Sequence, residues 1–236
     1  MNRLPARIRA LIYDFDNTIV GTERINEELF TGLLFVEFGV SLSPVEQEIL
    51  HGLPWSGVFD WLEDNRGLGG RRPVIWARFM EVKRESLRRR KPPVATGLDL
   101  MFALPVPQAI VTGSSREELE MVMEAIGMSQ EGFAAILCDE DCARGKPDPE
   151  GYLRALERLH VAAEEALVFE DSRPGIAAAR MAGVPVAFIS ELASRDRGAD
   201  ADIRFESFTE AWAAVKTRVD GRADRGNHAH RGQAPR

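Results

Sequence analysis

Two carboxylates, Asp14 and Asp16, follow the apolar run at residues 11–13, and a hydroxyl stands just beyond them at Thr18. A short apolar run that stops in a polar cluster reads as a buried parallel strand. Such a strand hands its side chains to the carboxyl edge of a sheet, where open α/β folds place their chemistry. If the chain stays extended, the two carboxylates share one side; a turn after Asp14 divides their roles. Either arrangement suits a metal ion, or a nucleophile with a proton shuttle. Three later segments extend the set. Residues 108–115, Gln-Ala-Ile-Val-Thr-Gly-Ser-Ser, are a second apolar run ending in Thr112, Gly113 and Ser114. Lys146 sits between Gly145 and Pro147, ahead of helix-starting prolines. Residues 167–171, Leu-Val-Phe-Glu-Asp, end in the paired acids Glu170 and Asp171 and lead into an alanine-rich stretch that reaches Gly183.

In this order the four segments resemble the four motifs of the haloacid dehalogenase superfamily of phosphatases and phosphomutases, over about residues 7–189. Phe-Glu-Asp-Ser followed by Gly-Ile-x-Ala-Ala-x-x-Ala-Gly is the most specific part. Intervals of 98 residues from Asp14 to Thr112, 34 to Lys146 and 25 to Asp171 suit members whose helical cap is inserted after the first motif. The resemblance implies an α/β fold: a Rossmann-like parallel-sheet core with an inserted α-helical cap domain. It also implies a phosphatase that uses Mg²⁺ and hydrolyses a small phosphorylated metabolite, a sugar phosphate first of all, through an aspartyl-phosphate. Asp14 would be the nucleophile, and Asp16 would protonate the leaving oxygen and later help water attack. Thr112, with the amides of Gly113 and Ser114, would hold phosphoryl oxygens, and Lys146 would bridge nucleophile and phosphate. The metal would be held by Asp14, the main-chain carbonyl of Asp16 and Asp171, with Glu170 binding it directly or through water. Members that cleave carbon–halogen bonds or phosphonates lack an acid at the place of Asp16, so phosphoryl transfer is favoured. Acids gathered around a phosphate dianion repel it, and make sense only with Lys146 and a divalent cation among them. Magnesium, which prefers oxygen ligands and a few carboxylates, fits best.

The cap would choose the substrate by closing over the phosphate and touching the leaving group. Candidate contacts are Thr22, Glu23 and Asn26 after the first motif, Trp55 in the loop 52–56, and the basic helix around Arg78 and Lys83. Sugar phosphomutases of the family carry a histidine where Asn26 stands and an arginine where Trp55 stands. This chain has neither, which weakens the mutase reading; a phosphomutase of the β-phosphoglucomutase type, which shares the whole core, is the alternative, and a non-catalytic binding protein on the same fold the third reading. Gly21 replaces an acid common in the family. Residues 71–91 hold nine Lys or Arg against two acids, which reads as a solvated helix face or as a grip on an anionic substrate. Phe59 and Trp61 read as cap core.

The elements needed to position these groups are visible as alternating patterns. Strands are expected near 8–13, 109–111, 135–137, 167–169 and 186–189, with a sixth at 202–205; helices at 115–126 and 148–160 separate them. Strand–helix alternation implies a parallel sheet with right-handed crossovers. Between Gly21 and Pro93 the strand signal gives way to helical patterns at 25–38, 43–51, 55–65 and 73–89, an interval too long for a loop. The expected division is a core of 1–20 and 94–216, a cap of 21–93, and a polar, disordered tail of 217–236.

A chain of 236 residues, 44% hydrophobic, can bury such a core. No stretch approaches the roughly 18 apolar residues of a membrane span, and the start runs directly into the first strand without a signal peptide, so a cytoplasmic location is expected. A formal net charge of -7 disfavours nucleic acid as a partner. The expected partner is the small phosphorylated substrate, with the chain a monomer or weak homodimer. Cys138 and Cys142 lack a second ligand pair and read as free thiols, and His51 and His160 stand apart from any histidine-based metal site.

Overall fold

In the computed structural model, residues 4–51, 53–193, 198 and 200–219 are described. The first apolar run is strand β1, Ala10–Tyr13. Four helices follow before the next strand: α1 (Glu23–Phe38), α2 (Pro44–Leu50), α3 (Trp55–Arg66) and α4 (Arg72–Arg89). A short α5 (Leu98–Phe102) then leads to β2 (Gln108–Val111), α6 (Arg116–Ile126) and β3 (Ala135–Leu137). The second half runs α7 (Glu150–Leu159), β4 (Ala166–Glu170), α8 (Arg173–Met181), β5 (Val186–Ile189), β6 (Ile203–Phe205) and α9 (Phe208–Val215). All six strands pair in parallel, in the order β3-β2-β1-β4-β5-β6. The chain thus winds outward from β1 in both directions. A crevice opens where the order reverses, above the carboxyl ends of β1, β2 and β4.

Side chains alternate across the sheet as a period of two requires. Leu11 and Tyr13 enter an apolar cluster with Ile110, Phe169 and Phe208, whereas Ala10 and Ile12 face the other way, against Tyr152, Val168 and Ile176. The first cluster continues into the helical insertion through Phe30, Leu34, Phe59, Leu62, Ile75 and Phe79. Cap and core therefore share one apolar interior.

The two strands of chain that cross between cap and core run side by side. Gly21 N–H donates to Pro93 O at 2.8 Å and Ala95 N–H to Ile19 O at 2.9 Å. A Cβ on residue 21 would lie 2.9 Å from Pro93 Cγ, so a side chain here would push the crossing apart.

The sequence assigned 217–219 to the tail, but Ile8 N–H donates to Arg218 O at 2.7 Å and Val219 bridges Ile8. These residues extend the core beside β1; 220–236 lie outside the described residues. Among the described residues, no helix is long and apolar enough to cross a membrane.

Candidate active site

The chain turns immediately after β1, and the turn separates the two leading carboxylates. Asn17 adopts φ 58°, and its N–H donates to Val20 O at 2.6 Å, closing a tight loop behind Asp16. Asp14, still aligned with the strand by its N–H bond to Phe169 O at 2.9 Å, turns its carboxylate to Lys146, Glu170 and Asp171. Asp16 faces a different set. Its Oδ1 accepts from Thr22 Oγ1, and its Oδ2 accepts from Ser114 Oγ at 2.6 Å and Thr112 Oγ1 at 3.3 Å. Thr22 stands at the N-cap of α1, but its hydroxyl is directed to Asp16 rather than to the helix.

Lys146 is the hub of the acid cluster. Its ammonium donates to Asp14 Oδ1 and Glu170 Oε1, both at 2.6 Å, and to Val111 O at 3.0 Å. Burial alone would lower its pKa, but the carboxylates of Asp14 and Glu170 outweigh that and hold it well above the usual lysine value. Glu170, at the end of β4, is fully enclosed. Its Oε1 also accepts from Tyr152 OH at 2.8 Å, and its Oε2 accepts from the N–H groups of Asp171 and Ser172 at 3.1 Å and from Ser172 Oγ at 2.9 Å. Ser172 Oγ in turn accepts from Gly175 N–H and caps α8. A Cβ on Gly175 would lie 1.6 Å from Glu170 Oε1, so only glycine lets α8 begin this close to the carboxylate.

Asp14, Glu170 and Asp171 place ligand-type oxygens within 4.8 Å of one another. Asp14 Oδ2 is buried and has no hydrogen-bond partner. Burial pushes the Asp14 carboxyl up to about 7, with Lys146 opposing and Glu170 adding to the rise. Asp171 is likewise raised, first by burial and then by Asp14, Glu170 and Glu23. An excess of buried negative charge with an unmatched oxygen is the signature of a site built for a further cation.

A cavity of about 580 Å³ opens from this floor toward the helices α1–α3. Of the residues singled out in the sequence, Asp14, Asp16, Thr112, Gly113, Ser114, Lys146, Asp171, Thr22, Glu23, Asn26 and Trp55 all line it. Glu170 lies beneath it. The Ser114 N–H, expected to face phosphate, donates instead to Thr112 Oγ1 at 3.0 Å. Arg78 and Lys83 are not part of the lining: Arg78 pairs with Glu37 and Glu81, and Lys83 is buried against Glu118 at 2.9 Å. A basic helix was legible, but not Glu37 and Glu118 of other helices, which with Glu81 of the same helix take up its charge. His51, read as isolated, pairs with Glu23 at 3.0 Å, and Glu23 also accepts from Asn17 Nδ2 at 2.9 Å. Tyr152, Ser172 and Asn17 were not singled out. Ser172 was within reach, since a hydroxyl three residues before Gly175 is an N-cap signal; nothing local marks the other two.

The model of the haloacid dehalogenase-like hydrolase family matches residues 11–189. The chain belongs to this family. The curated relatives it matches include a validoxylamine A 7'-phosphate phosphatase of Streptomyces hygroscopicus subsp. limoneus, 28% identical over 86% of this chain and 95% of that protein. A phosphorylated carbohydrates phosphatase of Thermotoga maritima is 26% identical over 75% of this chain and 82% of that one. Among solved structures, CbbY of Rhodobacter sphaeroides in complex with phosphate superposes with a TM-score of 0.76 at 24% identity, covering 86% of this chain and 96% of the other. A mutant of that protein was solved with xylulose-(1,5)bisphosphate. At this identity the structural likeness bears on the fold. This chain therefore has the haloacid dehalogenase-like core, and its matched curated relatives above are phosphatases.

Proposed function

We propose that the protein is a Mg²⁺-dependent phosphatase that hydrolyses a small monophosphate ester, of a sugar or a similar polyol, through an aspartyl-phosphate on Asp14. The observation that carries this reading is the buried, unpartnered Oδ2 of Asp14 beside Lys146, in a cluster of three acids. The donor set is all hard oxygen, which fits Mg²⁺. Asp14, Asp171 and the main-chain carbonyl of Asp16 would hold the ion. Glu170 already accepts five hydrogen bonds, which suits it to orienting Lys146 and Tyr152 rather than to binding metal. When bound, the ion would neutralise the acids and polarise the phosphoryl group.

The protein's own groups supply the rest. Lys146 holds the Asp14 carboxylate in place and offsets the charge of the incoming phosphate. An Asp14 oxygen attacks phosphorus as the ester P–O bond breaks, and the Asp16 carboxyl gives its proton to the departing oxygen. The Asp16 carboxylate then takes a proton from water as that water attacks phosphorus. The bond to Asp14 breaks and inorganic phosphate leaves. The hydroxyls of Thr112 and Ser114 now donate to Asp16; a phosphoryl group that takes over those donors frees Asp16 for the leaving oxygen.

The cavity also restricts the ester. Besides the catalytic acids, its described lining carries Glu23, Glu27 and Asp139, and the only Lys or Arg is Lys146. A second phosphate on the leaving group would meet these acids and, as the only further basic side chain of the described lining, His51, which is already paired with Glu23, whereas a neutral or amine-bearing leaving group would be accepted. The relative named for a 7'-phosphate fits this better than a bisphosphate ligand does.

Phosphate release from a panel of sugar and polyol monophosphates and matched bisphosphates, with Mg²⁺ and with chelator, tests the reading. Release from monophosphates that chelation stops and Mg²⁺ restores is expected. No release from any ester would refute it, and isomerised sugar phosphate accumulating faster than free phosphate would replace hydrolysis by mutase transfer.

A further inference from the structure

Lys83 on α4 and Glu118 on α6 are both buried as deeply as the apolar core, and neither belongs to the reacting groups. Their contact is short, Nζ to Oε1 at 2.9 Å. A buried ion pair gains little stability over an apolar pair of the same volume, so its presence in the cap–core interface asks for another account.

The neighbours of each partner supply one. The second oxygen of Glu118 accepts from Ser115 Oγ at 3.2 Å and Ser115 N–H at 3.4 Å, while Ser115 Oγ accepts from Glu118 N–H at 3.3 Å, a reciprocal cap at the start of α6. Ser115 adjoins Ser114, whose hydroxyl holds Asp16 and whose amide holds Thr112. On the other side, Lys83 Nζ lies 5.7 Å from the centroid of the Phe79 ring. Phe79 packs on Phe30 and Trp55, at ring separations of 5.4 Å and 4.8 Å, and both of those line the cavity. One carboxylate is thus shared between the loop that would hold the phosphoryl group and the helix that backs the roof over the leaving group. The exposed pair Arg84–Glu117, at 2.9 Å, repeats the link at the surface.

We propose that the Lys83–Glu118 pair is a positioning device that fixes the cap to the loop Thr112–Ser115, so that a leaving group seated under the roof improves the alignment of the phosphoryl-binding hydroxyls. The proposal rests on the phosphatase reading above.

The test uses the double variant Lys83→Met/Glu118→Gln. Glutamine keeps the acceptor that caps α6, and no unpaired charge stays buried. Melting temperature is measured beside kcat/KM for two substrates: the best monophosphate ester of the panel, and acetyl phosphate, whose leaving group is too small to reach the roof. The double variant is expected to melt within a few degrees of the native protein. It should lose about tenfold in kcat/KM on the ester and less than about twofold on acetyl phosphate. Lys83→Arg, which keeps a cation on Glu118, should restore the native ratio between the two substrates. An equal loss on both, native values on both, or a Lys83→Arg variant with the same selective loss would overturn the proposal. If the double variant does not fold, Glu118→Gln alone, which keeps the acceptor that caps α6 and removes the charge opposite Lys83, is measured in its place: the same selective loss on the ester is expected, and an equal loss or native values on both would overturn the proposal. A native protein that releases phosphate from neither substrate would refute the phosphatase reading instead, and this proposal with it.

Discussion

The floor and the roof of the cavity are built by different means. On the floor, single side chains answer for many directed contacts: Glu170 accepts five hydrogen bonds and Lys146 donates three. The roof is shaped chiefly by apolar packing among Phe30, Trp55, Phe59, Trp76 and Phe79, and it leaves Asn26 Oδ1 buried without a partner. Directed contacts fix atoms to within tenths of an ångström, while apolar packing fixes volume and tolerates exchange of similar shapes. The reaction can therefore stay constant on this floor while substrate preference drifts with the roof.

The largest expected effect comes from the atom at the centre of the floor. Asp14→Asn keeps the volume but removes the nucleophile, and should lower phosphate release by about four orders of magnitude or more. Its fold should survive, because an amide relieves the excess of negative charge against Glu170 and Asp171. Melting and turnover measured on the same sample check both halves; a folded variant with near-native turnover would remove Asp14 from its role.

A pair of glycine substitutions sharpens the contrast at the next scale. Gly175→Ala drives a methyl into the Glu170 carboxylate and displaces it from Lys146 and Tyr152. A cost of about 1–3 kcal/mol is expected, a fall in Tm of roughly 2–12 °C, and about a hundredfold loss of turnover. Gly57→Ala, in the first turn of α3, meets its nearest atom, Leu53 Cβ, at an ordinary 3.7 Å. It should raise stability by about 0.5–1 kcal/mol through helix propensity and leave turnover alone. Equal behaviour of the two variants would erase the distinction between floor and roof.

The same distinction governs what could be read from the sequence. Much of the floor comes from strand ends, where a run of apolar residues announces the place and the next residues supply the chemistry; Asp14, Thr112 and Asp171 were read this way, whereas Lys146 was marked by Gly145 and the prolines ahead of α7. The turn that parts Asp16 from Asp14 was left open, because it depends on the left-handed Asn17. The saturation of Glu170 was hidden as well, since two of its donors lie 24 and 18 residues away in sequence. In the roof, the helices were placed to within two or three residues by their periodicity. The partners of their charged residues were not, because Arg78 meets an acid 41 residues distant and Lys83 one 35 residues distant. Helices α5 and α9 escaped the sequence reading; at five residues α5 has too few turns to display a helical period.

The smallest expected effect concerns the buried charge that separates the floor from the roof. The Asp14 carboxyl is raised by burial from its ordinary 3.8 to about 7 in the folded protein, so between those values the folded state holds a proton that the unfolded chain has lost. Stability changes with pH in proportion to the protons bound by the unfolded state minus those bound by the folded state, which here is negative. This group therefore stabilises the metal-free protein at low pH, and its contribution is lost as pH rises from about 3.8 to about 7; Asp171, raised in the same direction, adds to the trend. Asp14→Asn removes the group. In metal-free buffer, the Tm of the variant minus that of the native protein should climb by a few degrees between pH 5 and pH 8. Adding Mg²⁺ at pH 8 should stabilise the native protein more than the variant, because the ion restores a partner to the ionised carboxylate. A difference in Tm that is flat with pH, or that falls, would show that Lys146 alone balances the floor, and the case for a further cation there would fail.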